Sequence, residues 1–339
     1  MGRYVHSLSA GLVCLATSVL FAGAVQSQQQ PYQGVGEWAR LAPQPMSEAP
    51  PTVMWGPHDV PDLRGYNYGF YGMTYHGWND RLNAIYFWHK NVKRYRSLDA
   101  TLPARPETIP EVALPISIPA NDSFQDIAYC RYDNSLLLHS SKLKKVYKVD
   151  AATGEMKWEF DSPARQYATG IAWDERGKRI YLADRMLNEM YSDPCTLYVC
   201  DTLGNVQFKR ALTHLSAQGR WGARCMDMDY SNTNPNWPSL LLNYTYFAAG
   251  GTYLDSVVLF ELDRTTLNII NRAKLPSFTG YVENVRGVAW DPRNSDYWIG
   301  IMQRDIGYED NAVYKMDGWH QPVSPDVGIM SLIQPRGLR

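Results

Sequence analysis

Gly170-Ile171-Ala172-Trp173-Asp174 and Gly287-Val288-Ala289-Trp290-Asp291 are two copies of one five-residue phrase, and the rest of the chain reads outward from them. Looser copies are Gly72-Met73-Thr74-Tyr75-His76, Asp126-Ile127-Ala128-Tyr129-Cys130 and Cys225-Met226-Asp227-Met228-Asp229. Each is followed by turn residues, such as Asp133-Asn134, Glu175-Arg176-Gly177 or Pro292-Arg293-Asn294. A second β-prone run comes next, as in Leu136-Leu137-Leu138 or Arg179-Ile180-Tyr181-Leu182-Ala183. A third run ends in aspartate every time, at Asp99, Asp150, Asp201, Asp263 and Asp317. A fourth often follows a Gly or Thr turn, as 156–160 follows Thr153-Gly154. Alternating aromatic and β-branched residues bounded by turn chemistry read as strands.

The copies begin at residues 72, 126, 170, 225 and 287. Four strands in each ~45–60-residue interval is the spacing of a propeller blade. One four-stranded sheet cannot bury both of its faces. Sheets stacked around an axis bury one another and shield their edges. The reading is therefore an all-β propeller of about five four-stranded antiparallel blades over 63–339. Residues 36–71 or 323–339 would supply either a closing strand or a degenerate sixth blade. A β-sandwich is the competing architecture. The recurring aspartates sit at strand ends, where Asp caps a turn through its own backbone.

Apolar residues are 45% of the chain, enough for a large core, and 33 basic against 34 acidic residues give none of the basic excess of a nucleic-acid binder. Residues 1–27 read as a secretory signal peptide: Arg3 and His6, an apolar run over 8–25, then Ala22-Gly23-Ala24 as a cleavage site. Export is expected, to the periplasm, cell surface or medium, with no membrane span after cleavage. Residues 28–62, rich in Gln and Pro, read as an irregular arm. Cys130, Cys195, Cys200 and Cys225 remain after cleavage, an even number that permits two disulfides in three pairings. The strand ends that carry them suggest 195–225 with 130–200.

The cadence of these phrases resembles secreted bacterial propellers of the NHL-repeat and gluconolactonase-like kind, over about 72–317. That resemblance implies the propeller fold. It also admits a lactonase or related hydrolase that holds a divalent cation near the axis with carboxylate and Asn side chains.

In such an architecture the residues just before each first strand rim the channel on one face: Tyr71, Gln125, Thr169, Arg224 and Arg286. Tyr68, Asp122, Tyr167, Trp221, Glu283 and Asn284 lie close by. Arg224 and Arg286 suit a carboxylate or sugar acid. Tyr68, Tyr167 and Trp221 suit stacking on a sugar or packing of a peptide, and Tyr71 and Gln125 complete the ligand-binding set. Asp122, Glu283 and Asn284 are oxygen donors suited to Ca²⁺ or another divalent cation, although no cofactor motif is present. Three long loops, 184–194, 244–255 and 303–311, would wall this face. The stretch 142–148 reads as a solvated strand face. Asn121-Asp122-Ser123 and Asn243-Tyr244-Thr245 are glycosylation sequons. A lone His139 near the rim reads as a hydrogen-bonded structural residue. Nucleophile-elbow, zinc-protease, P-loop and dinucleotide motifs are all missing. The leading expectation is a non-catalytic binding propeller for a glycan, peptide or surface protein; the alternative is a divalent-metal lactonase or hydrolase.

Overall fold

The computed structural model describes residues 53–59, 70–76, 81–86, 91–96, 108–115, 117–118, 122–164, 168–184, 195–213, 215, 223–230, 238–247, 254–275, 284–291, 296–302 and 311–316, some in backbone only. Everything described belongs to one compact unit, 43–339; a second unit, 1–42, lies outside it. The signal-peptide segment, most of the arm, and Tyr68, Tyr167, Trp221 and Glu283 also lie outside the described residues.

The chain enters this unit through β1 (Val53–Asp59). Four consecutive strands then build each of four sheets: β2 (Phe70–His76), β3 (Arg81–Tyr86), β4 (Asn91–Arg96), β5 (Thr108–Ala113); β6 (Phe124–Cys130), β7 (Ser135–Ser140), β8 (Lys145–Asp150), β9 (Met156–Asp161); β10 (Ala168–Asp174), β11 (Arg179–Asp184), β12 (Thr196–Cys200), β13 (Val206–Ala211); β14 (Ala223–Tyr230), β15 (Pro238–Phe247), β16 (Leu254–Asp263), β17 (Ile269–Lys274). A further sheet consists of β18 (Asn284–Asp291), β19 (Asp296–Met302) and β20 (Asn311–Met316), with β1 as its outer strand. The described strands thus form five four-stranded antiparallel sheets. Their first strands pack in a closed circle: β2 on β6, β6 on β10, β10 on β14, β14 on β18, and β18 on β2. That circle is the hub of a β-propeller.

β1 lies within the stretch read as an irregular arm. It pairs with β20 through Val53↔Met316, Trp55↔Lys315, His58↔Val313 and Asp59↔Ala312. A strand from the start of the unit therefore completes the last sheet and closes the ring without a covalent bond.

The packing explains the five-residue phrase. Each core cluster straddles two neighbouring sheets. Ala128, Leu137 and Val146 meet Ile171, Trp173 and Leu182 in one cluster. Leu241 and Leu259 meet Val288, Trp290 and Ile299 in another. In the phrase, the second and fourth residues face the preceding sheet and are bulky. The third faces the following sheet, where inner strands approach most closely, and is small: Thr74, Ala128, Ala172, Asp227 and Ala289. The two polar ones bond across the gap. Thr74 Oγ1 accepts from Tyr129 N at 3.1 Å, and Asp227 Oδ2 from Trp290 N at 2.8 Å.

The strand-end aspartates cap turns. Asp150 Oδ1 accepts from the Ala152 and Thr153 amides at 2.8 and 2.9 Å. Asp201 Oδ1 accepts from Leu203 and Asn205, and Asp263 Oδ1 from Thr265 and Thr266.

Four expectations are corrected. Cys130, Cys195 and Cys200 are buried thiols, so neither 130–200 nor 195–225 is a disulfide. Cys130 ends an innermost strand and donates to Asp133 Oδ1, whereas Cys200 ends a third strand at larger radius. Burial pushes both of these thiols up to about 12. Residues 244–247 and 254–255 are not loop: Tyr244, Thr245, Tyr246 and Phe247 pair with Val258, Val257, Ser256 and Leu254 in a long β15–β16 hairpin. Lys148 is not solvated. It is 6% exposed, bonds Asp133 Oδ2 at 2.8 Å and lies 5.5 Å from the centroids of both Trp158 and Trp173. Asn243 is fully buried within β15, so the sequon at 243–245 is not open to a glycosyltransferase in the folded chain, while the acceptor Asn121 of the other lies outside the described residues.

Candidate functional site at the first-strand rim

The expected rim residues lie inside the first strands rather than before them. Each first strand breaks register with its second strand at the same height. The breaks fall between Tyr71 and Met73, Phe124 and Asp126, Ala168 and Ile171, Ala223 and Met226, and Val285 and Gly287. Gln125, Thr169, Arg224 and Arg286 occupy these bulges, and Tyr71 borders the bulge at Gly72. A bulge leaves its extra residue outside the ladder and re-aims the side chain, a device concentrated at rims and binding sites. The backbone thus gathers these positions onto one level of the hub.

The side chains described there divide into two groups. Gln125 and Arg286 are partly exposed. Gln125 Nε2 lies 3.4 Å from Ser141 Oγ, whose hydroxyl is 2.7 Å from that of Ser123. Thr169 turns inward: it is buried, and its Oγ1 donates to Ala183 O at 3.3 Å. Tyr71, Arg224 and Asn284 are placed by backbone alone, Asn284 opposite Met302 at the start of β18.

Asp122 is 2% exposed and belongs to the support beneath the rim. Its Oδ1 accepts from Ser123 N at 2.8 Å and Ser140 Oγ at 2.5 Å. Burial, followed by the nearby Asp122 carboxylate, pushes the Tyr147 hydroxyl well above its ordinary value. Asp122 is thus buried, with Oδ1 held by its own chain and Oδ2 without a hydrogen-bond partner among the described residues. Among the described residues no three His, Cys, Asp or Glu side chains converge in metal-binding geometry.

His139 is the structural histidine the sequence suggested. It is fully buried, and Nδ1 lies 3.0 Å from Thr169 O and 3.2 Å from Gly170 O. Nε2 lies 2.8 Å from Ser162 Oγ. Two carbonyls require Nδ1 to carry the proton, leaving Nε2 to accept from the serine. This bond fastens β7 to the bulge of β10. Burial depresses the imidazole to about 4. Because the folded value lies below the unfolded one near ~6.5, the neutral ring's contribution is complete above pH ~6.5. It is lost as pH falls toward about 4, at roughly tenfold in the folding equilibrium per pH unit. His139→Gln is expected to flatten that slope in chemical melts run between those pH values; an unchanged slope would refute the assignment.

Sequence reasoning assigned no role to Asp126. Four copies of the phrase begin Gly72, Gly170, Cys225 and Gly287; one begins with an acid. Asp126 is fully buried on the axis, and Oδ2 accepts from Ile171 N at 2.9 Å and Met226 N at 2.8 Å. One carboxyl thus joins three first strands just beneath the bulges. At the opposite mouth, Tyr129, Trp173, Glu175 and Asp227 surround a shallow pocket. Glu175 there accepts from Trp173 Nε1 at 2.5 Å and Arg131 N at 3.1 Å, contacts within the scaffold.

No protein-family model matches the chain, and no curated protein matches it. Among solved structures it is similar to a luciferin-regenerating enzyme, at 14% identity over 78% of this chain and 96% of that one, TM-score 0.45. It is also similar to the Myxococcus xanthus glutaminyl cyclase, at 10% identity over 77% of this chain and 92% of that one, TM-score 0.47. The propeller assignment stands on the sheets and their closed circle. No helix of the described residues is long and apolar enough to cross a membrane.

Proposed function

We propose that the chain is an exported binding propeller that takes an acidic ligand, a sugar-acid glycan or a carboxylate-rich peptide surface, at the first-strand rim. The carrying observation is the set of coincident bulges. They interrupt a repeating apolar pattern at one level, and apart from two arginines the residues there differ from sheet to sheet: Tyr71, Gln125, Thr169, Arg224 and Arg286. A scaffold position repeats; a recognition position diversifies while its backbone geometry stays fixed. Two arginines on that level favour planar anions, which guanidinium groups grip bidentately.

The chain beginning after residue 27, titrated with polygalacturonate and with a neutral polysaccharide of similar size, tests this. Selective, salt-sensitive binding to the acid polymer is expected. Arg224→Ala and Arg286→Ala should each weaken it by about tenfold or more. Equal binding of both polymers, or indifference to both substitutions, would sink the proposal. The gluconolactonase-like alternative predicts instead that added Ca²⁺ brings sugar-lactone hydrolysis and that Asp122→Asn, Glu283→Gln and Asn284→Ala abolish it. The burial of Asp122, 2% exposed, leaves it little surface toward the rim and supports the binding reading.

A further inference from the structure

Asp126 combines features that an ordinary buried carboxylate does not. It has zero exposure, and Oδ1 has no hydrogen-bond partner among the described residues. Among the described residues no Lys or Arg forms an ion pair with it, unlike the buried acids Asp174 and Asp296, which pair with Arg264 and Lys315. Gly72 approaches Oδ1 closely from one side: a Cβ on Gly72 would lie 2.7 Å from it and would collide with the Asp126 backbone. Gly72 itself has φ +74°, a conformation that glycine adopts without cost. On neighbouring elements, His139 lies directly across the ladder on β7 and is neutral, and Asp227 on β14 adds a like charge. Arg224 and Cys225 on β14 and Arg286 on β18 share the level of the rim.

A charge so enclosed is strongly disfavoured; a neutral carboxylic acid, whose buried O–H still costs an unmade hydrogen bond, is disfavoured much less. We propose that Asp126 is the positioning residue of the rim and works as an uncharged carboxylic acid, so that the spacing of positions 125, 169–170 and 224–225 depends on one buried proton. Its partners make the connection direct. Ile171 N follows the β10 bulge, Met226 N follows the β14 bulge, and Gln125 is its own neighbour. Burial first, then the Asp227 charge, raises the carboxyl well above the ordinary range against the opposing pull of the amide donors. Ionisation would place a charge between three strands and release the rim. The ligand-binding consequence rests on the rim reading above; the protonation state does not.

Difference infrared spectroscopy of the 28–339 chain against Asp126→Asn at neutral pH reads the proton directly. A protonated-carboxyl C=O band, present in the parent and absent from the variant, is expected. No such band means an ionised Asp126 and overturns the proposal, whatever the ligand. Chemical melts supply the second reading. A folded-state value above the unfolded one makes the proton's contribution complete below pH ~4 and progressively lost as pH rises, by about tenfold in the folding equilibrium per pH unit until the folded group titrates. Asp126→Asn, whose side-chain oxygen still accepts from Ile171 and Met226, should remove that slope and keep its stability above neutrality. Asp126→Ala should lose stability at every pH. If Asn and Ala behave alike, the proton has no special role. Polygalacturonate affinity should weaken with rising pH in the parent and stay level in Asp126→Asn. A level parent profile beside an intact infrared band would overturn only the coupling to the rim.

Discussion

Asp174→Ala is expected to lower the unfolding free energy by about 3–5 kcal/mol, the range for stranding one partner of a buried ion pair. Asp174 is 1% exposed and Arg264 4%. One guanidinium nitrogen, Nη1, reaches both carboxylate oxygens, at 2.8 and 2.7 Å. Asp174 ends β10 and Arg264 follows β16, so the pair bolts two sheets together at the face opposite the rim. The same carboxylate accepts from the Arg176 and Gly177 amides at 3.0 and 2.8 Å and fixes the β10–β11 turn. The arginine's own carbonyl accepts from Tyr181 Oη at 2.9 Å, which holds Arg264 in place after the acid is gone. Alanine therefore leaves a dry, unpaired guanidinium and two uncapped amides. Urea melts measure the loss. Adding Arg264→Met should recover part of it, because an apolar stem can refill the site. A loss under ~1 kcal/mol in the single variant would show that solvent reaches Arg264, since that is the scale of an exposed pair.

The residues at this bolt show how the sequence could be read and where it could not. Asp174 was legible as a turn cap from its place at the end of Gly-Ile-Ala-Trp-Asp. Its partner was not, because Arg264 lies in another sheet and has no counterpart in the other copies. The same limit applies elsewhere. Local patterns with a period of two, ending in glycine or aspartate, exposed the first and third strands of every repeat. β1 was legible only as one of two candidates for a closing strand, within 36–71, because Gly56 and Pro57 break its pattern and its partner β20 lies far along the chain. The start of the β15–β16 hairpin was read as part of the 244–255 loop after the second strand, although Tyr244, Thr245, Tyr246 and Phe247 have strong strand preference.

The rim was legible in identity but not in geometry. Gln125, Arg224 and Arg286 were found from their place ahead of the phrase, yet a bulge is one extra residue in a continuous strand and leaves no compositional mark. Thr169 looks like its rim neighbours in sequence but is turned inward, its hydroxyl donating to the carbonyl of Ala183. Asp126 did carry a signal, an acid where the other copies begin with Gly or Cys. Its meaning depended on which amides three separate strands bring to the axis, and only the closed ring supplies that.

Trp290→Ala should be the most damaging truncation in the apolar core, costing about 3–5 kcal/mol as lost transfer energy plus an unfilled cavity. The indole is 1% exposed and is among the largest fully buried side chains. It stands in the fourth position of the phrase, so it projects toward the preceding sheet, where Leu241, Val257 and Leu259 receive it. Tyr297 meets it edge-on, with ring centroids 6.1 Å apart at 90°. Its backbone amide is the one bonded to Asp227 Oδ2, so side chain and main chain both tie β18 to β14. The sheet that loses this anchor is the one closed by β1, which depends on packing rather than on chain continuity to stay in the ring. Trp290→Ala should therefore raise the susceptibility of 53–59 to proteolysis more than Trp173→Ala does, because β10 lies in a sheet made from consecutive strands. Trp290→Phe, which keeps most of the volume, should fall well short of the alanine effect. Equal proteolysis of 53–59 in the two alanine variants would mean that β1 is held independently of the β14–β18 junction.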